Sequence, residues 1–167
     1  MANYDAKTKK GKCIFCEIAR GNIQPLKEGK FWENEKYVAW LSPFPNTLGF
    51  TVLIPKKHYG SDVLQMPDKD LEDFVIEAKK ISKHLIERLS DVGRVGLIME
   101  GTGIDHAHIK LVPFHGTGYM KKGEWRQIHS NINTYFEKYV NYGYICSNDG
   151  PEAEEAEIKE LARKLRL

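Results

Sequence analysis

Asp105-His106-Ala107-His108-Ile109-Lys110-Leu111-Val112-Pro113 alternates two imidazoles and an ammonium with apolar side chains. A period of two belongs to a β-strand that buries one face. It sets His106, His108 and Lys110 on one side, with successive side chains ~6.5–7 Å apart. Ala107, Ile109 and Leu111 then face a core. Such a row makes a poor structural surface and a good phosphate-handling one. A neutral imidazole can attack phosphorus, and an ammonium can neutralise phosphate oxygens. A lone histidine would read as the solvated face of an edge strand. Two at i and i+2, with a cation at i+4, point to a site.

A second group of chemically able residues lies near the start. Cys13-Ile14-Phe15-Cys16 has the spacing at which two thiolates grip one Zn²⁺ at about 2.3 Å. Such a site needs two more ligands, and there is no second Cys-x-x-Cys. A thioredoxin-like redox role would place the motif after a strand, whereas here it opens the domain. Histidines must supply the rest, and His58 and His106 are the candidates. His58 follows Pro55-Lys56-Lys57, two lysines that could steer anions; by itself it reads as a surface histidine. His84 is expected on the solvated flank of a long helix, His115 at the rim of the site, and His129 on a helix surface. Glu100-Gly101-Thr102-Gly103 has too few glycines for a dinucleotide fingerprint but can offer backbone N–H groups to a phosphate. Trp32, Trp40 and Trp125 read as core, and Cys146 as a small buried hydrophobe.

The elements that must position these residues alternate between strand and helix. Cys13 to Ala19 is short and apolar, followed by turn signals at Gly21-Asn22 and Gln24-Pro25. Residues 28–41 hold one or two strands, the clearer at Tyr37 to Leu41. Two prolines make Ser42 to Thr47 a loop. Gly49 to Ile54 is a strand that Pro55 ends. Asp68 to Ser90 reads as a helix, with Leu71, Phe74, Val75, Ala78, Ile81, Leu85 and Leu89 recurring at threes and fours, acids early and bases late. Arg94 to Met99 is a strand leading into the histidine segment. Trp125, Ile128, Ile132, Tyr135, Phe136 and Tyr139 are spaced like a helix face, and Tyr142 to Cys146 like a short strand. A last helix is expected from Asn148-Asp149-Gly150-Pro151, with the proline in its first turn. Its stripe is Ile158, Leu161, Ala162 and Leu165, flanked by the i,i+4 pairs Glu155/Lys159 and Glu160/Lys164. That stripe must pack either on its own domain or on a second subunit.

At 167 residues a single domain with a sizeable core is the default. The net charge of +2 argues against a nucleic-acid or membrane-surface partner, and part of it is local: Lys7, Lys9, Lys10 and Lys12 precede the first apolar residues. Without residues 1–12 there remain 21 basic and 22 acidic residues, a net of −1. No apolar run approaches the roughly 20 residues of a membrane span, and no signal peptide is visible. Three cysteines in such a chain suit a reducing compartment, hence a cytoplasmic location. The expected organisation is a flexible basic tail at 1–12, one folded domain at 13–145 and a C-terminal helical extension at 146–167.

Cys-Ile-Phe-Cys-Glu-Ile at 13–18, Thr-Val-Leu-Ile-Pro-Lys-Lys-His at 51–58 and His-Ala-His-Ile-Lys-Leu-Val-Pro at 106–113 together resemble the histidine triad (HIT) superfamily, in order and spacing, over roughly residues 13–120. The resemblance implies an α+β, HIT-like fold: an antiparallel sheet of about five strands with one long helix and C-terminal helices. It implies a homodimer, a purine nucleotide or dinucleoside polyphosphate-like ligand, and hydrolysis or transfer at an α-phosphate through a covalent nucleotidyl-histidine. His108 corresponds to the family nucleophile, with His106 and Lys110 beside it as catalytic residues. Nucleotide binding falls to Phe15, Ser42, Gly101, Thr102 and Gly103. The zinc-binding subset implies a structural Zn²⁺ on Cys13, Cys16, His58 and His106, and no organic cofactor is expected.

The chain also departs from the family pattern. Lys110 stands where the third histidine belongs; it keeps a positive charge and three donors but cannot shuttle protons near neutral pH as imidazole does. Ser42 replaces the ribose-binding aspartate, Met99 replaces the asparagine before Glu-Gly, and the loop ahead of the histidine strand is shorter. The expected activity is a nucleotide phosphohydrolase or nucleotidyl transferase. The alternative is a nucleotide-binding or scaffold protein on the same fold.

Overall fold

The computed structural model describes residues 12–127 and 152–166. Five strands form one antiparallel sheet in the order β1-β2-β3-β5-β4: β1 Lys30–Glu33, β2 Tyr37–Leu41, β3 Thr51–Pro55, β4 Val95–Ile98 and β5 Ile109–Pro113. A short helix α1 (Ile14–Ala19) precedes the sheet, α2 (Asp68–Arg88) joins β3 to β4, and α3 (Glu155–Leu165) closes the described chain. The expected α+β architecture, one long helix included, is what is found. Among the described residues no helix is long and apolar enough to cross a membrane.

Alternation in the strands sorts their side chains onto two faces. Tyr37, Ala39, Leu41, Leu53, Ile109 and Leu111 join Phe74, Ala78, Ile81 and Leu85 of α2 in the main core. The opposite face carries Val38, Trp40, Val52 and Ile54, capped by Ile14 and Phe15 of α1. The register sets Val52 opposite both Trp40 and Lys110, so Lys110 lies on this second face. α1 thus covers the side of the sheet on which the chemistry lies.

The stripe of α3 packs on its own domain: Ile158, Ala162 and Leu165 are buried in the main core. Its Glu155–Lys159 and Glu160–Lys164 pairs form at 2.7 and 3.3 Å. The helix begins later than Pro151 implied, because residues 152–154 are not helical. The return of α3 also overturns the expectation for His84. That residue is buried, its Nε2 donates to the Leu165 carbonyl at 2.5 Å, and its ring meets Trp32 edge-on. Nearby lysines and an arginine made it look solvated, because the covering segment lies 81 residues away. Trp125 is 69% exposed rather than core, with the Arg94 guanidinium 4.8 Å from its ring. The remainder of the helix expected at 125–139, the strand at 142–146, His129 and Cys146 lie outside the described residues.

Candidate active site and metal centre

Regular β5 pairing starts at Ile109, so His106 and His108 stand on the segment just before it. Alternation persists there: Ala107 is buried in the main core, and His106 and His108 turn to the α1 side. The row is not the open strand face that its polarity suggested. His106, His108 and Lys110 are 0%, 3% and 8% exposed. Phe15 provides much of the cover, its ring edge-on to His106 (5.9 Å), His108 (5.7 Å) and Trp40 (5.2 Å).

Four side chains converge at the N-terminal side of this segment. The ligand atoms of Cys13, Cys16, His58 and His106 all lie within 4.8 Å of one another. His106 Nδ1 is 3.4 Å from Cys13 Sγ, 3.5 Å from Cys16 Sγ and 3.2 Å from His58 Nδ1, and Cys16 Sγ is 3.3 Å from His58 Nδ1. A tetrahedron built on zinc–sulfur and zinc–nitrogen bonds has edges of about 3.3–3.8 Å, so the group fits a metal ion. His106 Nε2 lies 2.9 Å from the Pro55 carbonyl. A carbonyl only accepts, so this nitrogen carries the proton and Nδ1 keeps its lone pair for the cluster. Burial holds the His106 pKa down at about 4, and burial together with the neighbouring Cys13 pushes Cys16 up to about 11. The imidazole is therefore ready to ligate, whereas the thiol ionises only when a cation arrives.

His108 uses its nitrogens the other way round. Nδ1 lies 2.8 Å from the His106 carbonyl and donates to it, which leaves Nε2 as the nitrogen directed toward Glu100. Nε2 stands 3.7 Å from Glu100 Oε1, and the same oxygen takes an ion pair from Lys110 Nζ and a 3.1 Å hydrogen bond from Thr102 Oγ1. Burial raises the Glu100 pKa, but the contacts with His108 and Lys110 outweigh it and hold the carboxyl at about 2. Nothing in the sequence singles out Glu100, whose loop offers only backbone donors on local evidence. No local signal marks a pairing ten residues apart across a glycine turn. Gly101 makes that turn, with φ of +67° and space so tight that a Cβ would lie 2.7 Å from the Ser61 carbonyl oxygen.

The other candidates are distributed differently. Phe15, with Ile14, Ile18, Ile23 and Trp40, lines an apolar groove beside α1. Ser42 is fully buried, and its Oγ accepts from the Phe44 N–H at 3.2 Å. Gly103 lies in the loop with φ of +88°. Lys56 is paired with Glu33 at 2.7 Å, and Lys57 approaches Asp70 at 3.8 Å. His115 does not rim the site. It lies past the other end of β5, bound to Asp91 and the Leu48 carbonyl. A larger cavity of about 340 Å³, lined in part by Tyr59, Ser61 and Asp105, includes neither His106 nor His108 in its wall.

No family model matches the chain, but individual proteins do. It is 36% identical over 110 residues to a HIT-like protein of Mycoplasma pneumoniae, covering 64% of this chain and 74% of that one. It is 30% identical over 132 residues to an adenosine 5'-monophosphoramidase of Mus musculus, covering 75% and 74%. Its fold matches the crystal structure of a hypothetical histidine triad nucleotide-binding protein of Sulfolobus tokodaii, with a TM-score of 0.63, 22% identity and coverage of 92% and 89%.

Proposed function

Given that this chain belongs to the HIT-like superfamily, we propose that it hydrolyses or transfers a nucleotidyl group at an α-phosphate through a covalent bond to His108 Nε2. The observation that carries the reading is the buried imidazole whose Nδ1 donates to the His106 carbonyl, which fixes the ring and leaves Nε2 as the nitrogen to attack. Covalent catalysis splits one difficult displacement into two easier ones. In the first step an Nε2–P bond forms as the bond from phosphorus to the leaving group breaks, its electron pair departing with that group. In the second, water cleaves the Nε2–P bond and the pair returns to nitrogen. The leaving group takes its proton from solvent, and in the second step the water oxygen ends on phosphorus while one of its protons returns to solvent. In transfer, an acceptor hydroxyl takes the place of water.

The base lies in the groove of Phe15, Ile18 and Trp40, whose apolar and aromatic walls suit a flat heterocycle. Lys110 and the N–H groups of Gly101, Thr102 and Gly103 balance charge on the non-bridging oxygens. The metal is zinc, the ion whose borderline softness and tetrahedral preference match two thiolates and two imidazoles. With four protein ligands its contribution is structural: it ties α1 to the segment that carries His108. A second copy of the chain pairs along β4. Among the described residues that strand has a ladder partner only in β5, and its Leu97 is 40% exposed.

The phosphoramidase name of the mouse relative supports a P–N substrate such as an adenosine 5'-phosphoramidate. A non-catalytic binding role draws on one observation, the ion pair that spends the Lys110 charge on Glu100. Steady-state hydrolysis of adenosine 5'-phosphoramidate decides between the two. The wild type is expected to turn over and His108→Ala to lose at least about a thousandfold. Comparable rates in both would refute the role of His108, and no turnover by the wild type would favour the binding protein.

A further inference from the structure

Cys13 and Cys16 share one turn of one short helix, whereas the two histidines of their cluster come from elsewhere. Cys13 is the N-cap of α1 and Cys16 lies in its first turn; His58 follows β3 and His106 precedes β5. Residues three apart in a helical turn have Cα atoms about 5 Å apart, inside the span of about 4.4–6.8 Å that a disulfide bridges. The two Sγ atoms lie within 4.8 Å of each other. Rotation of the side chains can therefore join them without moving the backbone. The thiols are unequally placed: Cys13 is partly exposed and Cys16 is buried. An oxidant meets Cys13 first, and Cys16 stands behind it as the resolving thiol.

What such a bridge undoes is also local. Thiolates ligate a metal and a disulfide does not, so bridging removes half of the ligand set and leaves only His58 and His106. α1 has six residues, far below the ~12–15 at which a helix holds by itself. Its remaining hold on the sheet is the small apolar cluster that contains Ile14 and Phe15. Phe15 lies between the two cysteines in sequence and covers both His106 and His108.

Resting on the zinc reading above, we propose that Cys13 and Cys16 form a peroxide-sensitive switch, whose disulfide releases the metal and unfastens α1 from the segment carrying His106 and His108. The Cys13 thiolate attacks hydrogen peroxide; an S–O bond forms as the O–O bond breaks, leaving a sulfenic acid and hydroxide. The Cys16 thiolate then attacks that sulfur, the S–S bond forms and a second hydroxide departs. Both hydroxides take protons from solvent and become water. The two sulfurs lose two electrons, and the peroxide oxygens gain them. A dithiol returns the electrons, which suits a reducing compartment where such bridges are transient.

The test uses the zinc-loaded wild-type chain, exposed to a few equivalents of hydrogen peroxide. Metal release, peptide mapping and amide hydrogen exchange are read together. The expected result is about one zinc released per chain, a disulfide between Cys13 and Cys16, and exchange across residues 14–19 faster by at least about tenfold. Dithiothreitol followed by zinc restores all three. Zinc retained by a chain whose Cys13 and Cys16 stay reduced overturns the proposal, and so does a bridge from either of them to Cys146. Zinc release with unchanged exchange at 14–19 overturns the unfastening of α1. A reduced chain that takes up no zinc refutes the metal reading itself, before any oxidant is added.

Discussion

Lys110 neutralises a carboxylate before it can neutralise a phosphate, and that changes what its removal does. Lys110→Met leaves Glu100 charged and uncompensated next to His108, so AMP binding should weaken by roughly 1–3 kcal/mol, the cost of a charge-assisted bond. The loss should be smaller in Lys110→Met measured on a Glu100→Gln background, where no carboxylate remains. Calorimetry on the four proteins gives the cycle, and unchanged affinity in Lys110→Met would place the lysine outside the binding site. His106 makes a different prediction. Its folded pKa of about 4 lies below its ordinary 6.5, so below pH 6.5 the unfolded chain binds a proton that the folded one refuses. Stability of the chelator-treated protein is therefore full above pH 6.5 and falls as pH drops toward 4, by on the order of 3 kcal/mol. Denaturant titrations across that range check it, and a flat profile would contradict the buried neutral imidazole. At this scale the sequence carried residue types well and partners poorly. The convergence of Cys13, Cys16, His58 and His106 was legible because metal ligation demands such residues in a set. Glu100 was not, because an acidic residue before a glycine turn resembles any solvated loop.

Elements carry the site by opposing two faces of one sheet. β5 presents Ile109 and Leu111 to the main core and Lys110 to the α1 side, and the segment that carries His106 and His108 runs directly into this buried strand. α3 stabilises the core side. Leu165→Ala should cost about 2–5 kcal/mol, the usual loss for a fully buried leucine, read as a shift of the urea midpoint. A loss below about 1 kcal/mol would mean that α3 is a peripheral arm. Strand and helix order was legible because periods of two and of 3.6 follow directly from burial on one face. What periodicity could not carry was long-range cover: the packing of α3 onto the main core, its late start, and the burial of His84 beneath its end. Phe15 is a further instance. Its role as a lid over both histidines depends on α1 folding back across the sheet, which no local pattern encodes.

Across the whole molecule, α1 reaches the sheet through a small apolar patch and the four-residue cluster. A bound metal would link residues 13 and 16 to residues 58 and 106, closing long loops of chain. The purified protein should carry about one zinc per chain. Chelation should lower its melting temperature and, by loosening α1, weaken nucleotide binding in the Phe15 groove. Metal content well below one equivalent after zinc repletion would contradict this. A homodimer through β4 should sediment at twice the chain mass, and Leu97→Lys should shift it toward monomer. The proposed catalysis turns on one bond, between phosphorus and His108 Nε2. Acid-quenched intact-protein mass spectrometry, after brief exposure to adenosine 5'-phosphoramidate, tests that bond directly. The predicted result is a single adenylyl adduct on the wild-type chain, mapped by peptide fragmentation to His108 and absent from His108→Ala. Turnover with no adduct at any quench time, or an adduct on another residue, would contradict it.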